Sequence, residues 1–339
     1  MRPIKLGHVG TLHDHSSGKL ECVKKFPELF EIVGIVAESP EREAEIKDRA
    51  AYRGLEFCDR ETLLERGVEA VLIEGYERDL IKEAQFWAER GVHMHIDKPA
   101  GDDVESFEKL LLVAKEKKLT VQMAYMYRYN FAVLDCLERI ERGELGDIYQ
   151  ITAVMNTRHP DDKRDWLNNF DGGIQFYLGC HMIDLVYRFL GLPENIYPFI
   201  KSTMTAGVDA PDFGHAVFEY KNGVSTVEAT SAEVNGYGRR QLIVSGSRGT
   251  VSILPLENVC KMTFASLDGR VDHYADIKDE IEIEDNSVTG RYDEMVNDLY
   301  AYVTGEKENP FSYAHELAVA RAIDRAVGGA RFRDEKIHG

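Results

Sequence analysis

Along the first 125 residues, short apolar and β-branched runs alternate with stretches whose apolar positions recur every three or four residues. The runs Ile4–Gly10, Ile32–Ala37, Ala70–Glu74, Val92–Ile96 and Leu119–Tyr125 read as strands. Between the last two, Val104, Phe107, Leu111 and Ala114 share one helical face, which predicts a helix over Asp103–Lys118 capped by Asp102 or Asp103. Strands alternating with helices imply a parallel sheet covered on both faces, the doubly wound α/β arrangement. The pattern changes after Arg142, where G-E-L-G marks a turn and a long alternating strand, Ile148–Thr157, begins. Strands Ala216–Tyr220 and Val224–Thr230 flank K-N-G, and Leu242–Val244 and Val251–Leu254 flank a second tight turn, so this half predicts a largely antiparallel sheet. Helices are expected over Tyr292–Val303 and Ala314–Val327. Two domains follow, 1–125 and 126–339.

The 339 residues carry 41 Lys and Arg against 59 Asp and Glu, a net charge of −18 that disfavours nucleic-acid and anionic-membrane partners. The longest purely apolar block, Leu110–Ala114, is far short of a membrane span, and the opening residues read as a strand rather than a signal peptide, so a cytoplasmic location is expected. Five scattered cysteines without a C-x-x-C pair suggest neither a disulfide framework nor a zinc site.

Candidate chemistry collects at strand ends. The first strand runs into G-T-L-H-D-H, where a dinucleotide-binding turn places G-x-G-x-x-G; Gly10 keeps the first glycine, and Leu12 and His15 replace the others. Glu38 ends the second strand, where a carboxylate binds an adenosine ribose and repels a 2′-phosphate, favouring NAD over NADP; Arg42 opposes that preference. In H-I-D-K-P, Lys98 leaves a parallel strand at its carboxyl end and is suited to polarise a substrate oxygen. Tyr177, His181, Asp184 and Arg188 fall on one face of a helix expected over 172–191, with His181 a proton shuttle and Asp184–Arg188 a structural ion pair. His13 and His15 form only a fragment of a coordination shell, and no metal is expected. His93 and His95 share a strand face, which packing or surface exposure explains. The loop Asn156–Trp166 is polar with one aromatic, which suits polyol contacts.

Taken together, the turn at Gly10, Glu38, G-V-H-M-H-I-D-K-P, Y-M-Y-R-Y-N, G-G-x6-C-H-x-x-D and R-Y-D-E-M-V-N-D-L-Y-A-Y-V-T-G resemble the Gfo/Idh/MocA family of NAD(P)-dependent oxidoreductases over nearly the whole chain. The resemblance implies a Rossmann domain followed by an α/β domain whose open sheet forms dimer or tetramer contacts, and a small-molecule sugar or polyol substrate. It implies Lys98, His181 and Tyr177 as catalytic residues and Gly10, Thr11, Leu12, Glu38, Gly75, Asp97 and Lys98 as cofactor-binding residues. Arg128, Asn156, Arg158, Trp166, Tyr177 and His181 become substrate-binding candidates. The sequence departs from the pattern at Asp97, where the family has glutamate before the lysine, at Tyr177, where it has aspartate, and at Gly75–Tyr76, where it has Thr-Pro. The leading expectation is hydride transfer between NAD and a secondary alcohol or ketone carbon of a sugar or cyclitol. A lyase or hydrolase working through a keto-sugar, and a non-catalytic sugar or dinucleotide sensor, are the rival expectations.

Overall fold

The computed structural model describes residues 2–257, 260–267, 276–283 and 291–329. They fall into two compact units, one of residues 1–125 with 292–320, the other of residues 126–291 with 321–339.

The first unit is built on five parallel strands, β1 (Ile4–Val9), β2 (Phe30–Val36), β3 (Ala70–Ile73), β4 (His93–Ile96) and β5 (Val121–Met123), in the order β2-β1-β3-β4-β5. The central β3 is buried at every position, as a strand covered on both faces must be. Helices α1 (Ser16–Val23), α2 (Pro40–Ile46), α3 (Arg60–Glu65), α4 (Leu80–Glu89) and α5 (Val104–Lys117) occupy the crossovers. Asp103 caps α5 by accepting from Ser106 N, and α5 ends at Lys118, whose φ is +56°. The strand expected over Leu119–Tyr125 is three residues long, because the chain coils into a 3₁₀ turn at Met126–Tyr129. The order of strands reverses between β1 and β3, the place where open α/β sheets bind ligands.

The division at residue 125 does not anticipate that the segment Tyr292–Ala320 joins the first unit. Hydrogen bonds hold it there: Gln122 Nε2 donates to Met295 O at 3.0 Å, Asn309 Nδ2 to Val121 O at 3.1 Å, and Tyr313 OH to Leu119 O at 2.6 Å.

The second unit carries an eight-stranded mixed sheet, largely antiparallel. Its strands are β6 (Ile148–Val154), β7 (Asn195–Lys201), β8 (Phe213–Tyr220), β9 (Gly223–Thr230), β10 (Gln241–Gly246), β11 (Gly249–Ile253), β12 (Cys260–Ser266) and β13 (Asp276–Ile283), in the order β13-β12-β11-β10-β6-β9-β8-β7. Only β6 and β9 pair in parallel. Helices α6 (Phe131–Glu141) and α8 (Cys180–Leu190) cover one face. Along β8, Gly214, Ala216 and Phe218 are buried while His215, Val217 and Glu219 stay partly open, so the other face is only half covered. The polar stretch expected as a loop forms α7 (Asp161–Trp166). The helix expected over 172–191 is interrupted: Gln175–Gly179 forms a π turn that carries Tyr177 into α8. No helix among the described residues is long and apolar enough to cross a membrane.

Candidate functional site

In the first unit, Gly10, Leu12, Glu38 and Gly75 line one cleft of about 360 Å3 at the strand-order reversal. The backbone requires glycine at its floor. Gly10 has φ +83°, and a Cβ there would stand 2.4 Å from Gly75 N, so the turns after β1 and β3 meet without side chains. Glu38 reaches across and accepts from Thr11 N at 2.6 Å, Thr11 Oγ1 at 2.7 Å and Leu12 N at 3.1 Å. A carboxylate has about four acceptor positions, so these three donors leave room for one ribose hydroxyl. Arg42 is tied to the same turn, with Nε 2.9 Å from Thr11 Oγ1 and Nη2 2.7 Å from Thr11 O.

The residues that replace the missing glycines do not block this cleft. Leu12 is half exposed at its rim. His15 turns away from it, placing Nδ1 3.3 Å from Asp97. A dinucleotide therefore fits the residues present.

Beneath the turn lies a buried polar network. Asp97 accepts from Lys98 N at 2.7 Å and from Lys19 Nζ at 2.8 Å, and lies 2.9 Å from His13 Nδ1. Lys19 also bonds Glu74 at 2.8 Å, with both side chains almost fully enclosed. Burial raises Glu74 well above the usual carboxylate range, and the neighbouring Asp97 adds to it. Burial acts the same way on Asp97, but His13, Lys19 and His15 prevail and hold its carboxyl well below that range. Lys98, at the end of β4, is fully buried. His95 bonds Gln122 at 2.7 Å and packs in the core, and His93 Nδ1 accepts from Thr120 N.

In the second unit, His181 is buried with its ring edge-on to Tyr127, centroids 5.0 Å apart. Tyr127 donates to Glu257, which also pairs with Arg240 and accepts from Tyr237 OH at 2.7 Å. Tyr177 sits among aromatics, parallel to Phe170 and edge-on to Trp166 at 5.1 Å. Lys163 Nζ stands 3.7 Å over the Trp166 ring and 4.8 Å over that of Tyr177. Tyr177 and Trp166 are thus brought together, and Arg158 is exposed near them in sequence.

Two substrate candidates serve the frame instead. Arg128 is buried, with Nη2 2.6 Å from Asp184, and Arg188 Nη1 donates to Arg128 O at 2.9 Å. Asn156 is wholly buried, accepting from Thr230 N at 3.0 Å and donating to Glu228 and Glu233. Buried polar groups must be paired, and these side chains already are. Sequence reasoning passed over Lys19, Glu74, Tyr127 and Lys163. A lysine within the first turns of α1 was the one available signal for Lys19, and nothing local marks the others.

Residues 133–252 match the model of the GFO/IDH/MocA C-terminal domain. An uncharacterized oxidoreductase of Schizosaccharomyces pombe is 25% identical over 209 residues, 60% of this chain and 56% of the relative, so the chain spans little more than half that protein's length. Levoglucosan dehydrogenase, solved with NADH and levoglucosan, superposes with a TM-score of 0.81 at 18% identity, covering 98% of each chain. An oxidoreductase of Desulfitobacterium hafniense, named as NADPH-dependent, gives 0.82 at 17% identity, covering 98% of this chain and 97% of its own. These structural likenesses establish the fold, with its N-terminal parallel and C-terminal largely antiparallel sheets.

Proposed function

We propose that this chain, whose residues 133–252 match the GFO/IDH/MocA C-terminal domain, is an NAD-dependent oxidoreductase acting on a secondary alcohol or ketone carbon of a sugar, cyclitol or related polyol. The observation that carries the reading is the cleft at the strand-order reversal, with Glu38 on its wall, the Gly10–Gly75 contact on its floor and Lys98 ending the neighbouring strand. Nicotinamide, when bound, supplies the hydride acceptor or donor. Lys98 polarises the substrate oxygen, and His181 takes up or returns the hydroxyl proton as the carbon–hydrogen bond breaks or forms. Tyr177 donates a hydrogen bond that positions that oxygen, and Trp166 offers an apolar face to a sugar ring. Glu38 favours NAD, since a 2′-phosphate would meet its charge, while Arg42 is engaged with Thr11 and Glu45.

The half-covered face of the second-unit sheet, with Phe199 and Val224 exposed, supports a homodimer or homotetramer built through that face. A cytoplasmic location belongs to the same reading. Neighbours that bind NADH and a sugar support the substrate class.

The test is incubation with NAD and a panel of sugars, polyols, their keto forms and glycosides, recording reduced nicotinamide alongside product masses. Net reduced cofactor is expected, whereas a cleaved product without net redox change would transfer the assignment to a lyase or hydrolase. Lys98→Met and His181→Asn should each lower turnover roughly 100-fold to 10,000-fold with NAD binding little changed. Near-normal turnover in both would remove the mechanism.

A further inference from the structure

We propose that His13, His15 and Asp97 form a binding site for one divalent transition-metal ion of the zinc type, at the turn between β1 and α1. One donor atom from each residue lies within 4.8 Å of the other two. His13 Nδ1 is 2.9 Å from Asp97 Oδ2, and His15 Nδ1 is 3.3 Å from the same oxygen. Metal–nitrogen and metal–oxygen bonds of about 2.0–2.1 Å in a tetrahedron put neighbouring donors about 3.3 Å apart, so two edges of such a shell already stand.

Hydrogen bonding around His13 points the same way. Its Nε2 faces two oxygens, Lys98 O at 3.3 Å and Glu77 Oε1 at 3.6 Å, which suit a ring proton on that nitrogen. That leaves Nδ1 with its lone pair, and the His15 N–H points at it from 3.2 Å. A metal ion held between His13 Nδ1 and Asp97 Oδ2 would give both atoms a shared partner. Metal-bound histidines characteristically give their second nitrogen to a carbonyl or carboxylate, the arrangement that Lys98 O and Glu77 supply. The carboxylate is oriented likewise, by Lys98 N and Lys19 Nζ.

His13 and Asp97 have fully enclosed side chains, while 20% of the His15 side chain is exposed, which provides a route for the ion. Two imidazoles and one carboxylate suit zinc, cobalt or nickel rather than magnesium or calcium. The ion would fasten a turn that has lost two glycines to the end of β4. The proposal does not depend on the oxidoreductase reading.

Chelator-treated, desalted full-length protein is titrated calorimetrically with zinc chloride at neutral pH, and cobalt chloride is added separately to read its visible absorption bands. One zinc per chain is expected, with cobalt bands typical of nitrogen and oxygen ligation in four- or five-coordinate geometry. His15→Gln, at the exposed edge of the cluster, should weaken zinc binding by on the order of 100-fold and abolish the cobalt bands. Circular dichroism confirms that the variant is folded. Lack of one-to-one zinc binding in the parent overturns the proposal. Binding that persists unchanged in His15→Gln overturns it as well, since the ion is then held elsewhere.

Discussion

His8 sits on β1 with 1% of its surface exposed, its Nε2 2.9 Å from Ser16 Oγ, which in turn lies 2.8 Å from Tyr52 OH. Burial, reinforced by the charge of Lys19, lowers its pKa from the ordinary histidine value of 6.5 to about 3. The folded protein therefore keeps this ring neutral at pH 5, whereas the unfolded chain protonates it. Below pH 6.5 the unfolded state binds the extra proton, so His8 makes stability fall as pH falls, across a window reaching down to about pH 3. Between pH 7.5 and 5.0 the loss is about 1.36 kcal/mol for each of the roughly 1.5 pH units below the unfolded pKa, or about 2 kcal/mol. His8→Gln preserves a polar partner for Ser16 and removes the titration. The chain's two tryptophans lie in different units, so a Trp166→Phe background leaves the buried Trp87 as the reporter of the first. Urea unfolding at the two pH values should show the variant losing about 2 kcal/mol less than its parent, other titrating groups cancelling in the comparison. Equal losses within about 0.5 kcal/mol would refute the claim that His8 is held neutral by burial.

Calorimetry with each cofactor should show NAD binding more tightly than NADP, and Glu38→Ala should weaken NAD by about 1.5–3 kcal/mol as a charged hydrogen bond is lost; tighter binding of NADP by the parent overturns the role of Glu38. Gly10→Ala forces a Cβ to within 2.4 Å of Gly75 N at a φ of +83°, so NAD affinity and thermal stability should fall together, and unchanged melting would contradict the close approach. Arg128→Met removes a buried cation from beside Asp184 and should cost about 3–5 kcal/mol in urea unfolding; a loss under about 1 kcal/mol would show that the pair is not the frame described above. Light scattering should return a dimer or tetramer, and a monomer that survives concentration removes the sheet-face interface.

What the sequence made legible follows from which forces are local. The parallel strands were readable because β1 and β3 are short apolar runs ended by turn residues, and the cleft residues Gly10, Glu38 and Gly75 sit at those ends. The strands that escaped notice include both edges of the second sheet. Edge strands guard against further pairing by tolerating proline or charge, and β7 contains Pro198 while β13 reads D-I-K-D-E-I-E-I, so neither shows the apolar alternation that betrayed β8 and β9. The π turn at Gln175–Gly179 left no mark either, since its residues are as apolar as those of the α-helix they interrupt.

The cluster under the first turn is the deepest case. His13 and His15 alone were too small a fragment to suggest a site, and Asp97 was visible only as a shortened glutamate beside Lys98. The parallel sheet sets the two departures side by side. A glutamate at position 97 would reach one methylene farther into a space that His13 and His15 now fill, and glycine at position 15 would leave Asp97 short of a partner. The lost glycine and the shortened acid are therefore one compensated change in packing and charge, and they test each other: Asp97→Glu should be tolerated in a His15→Gly background and destabilising in the parent. Independent, additive effects on urea unfolding would show that the two positions diverged from the family pattern separately.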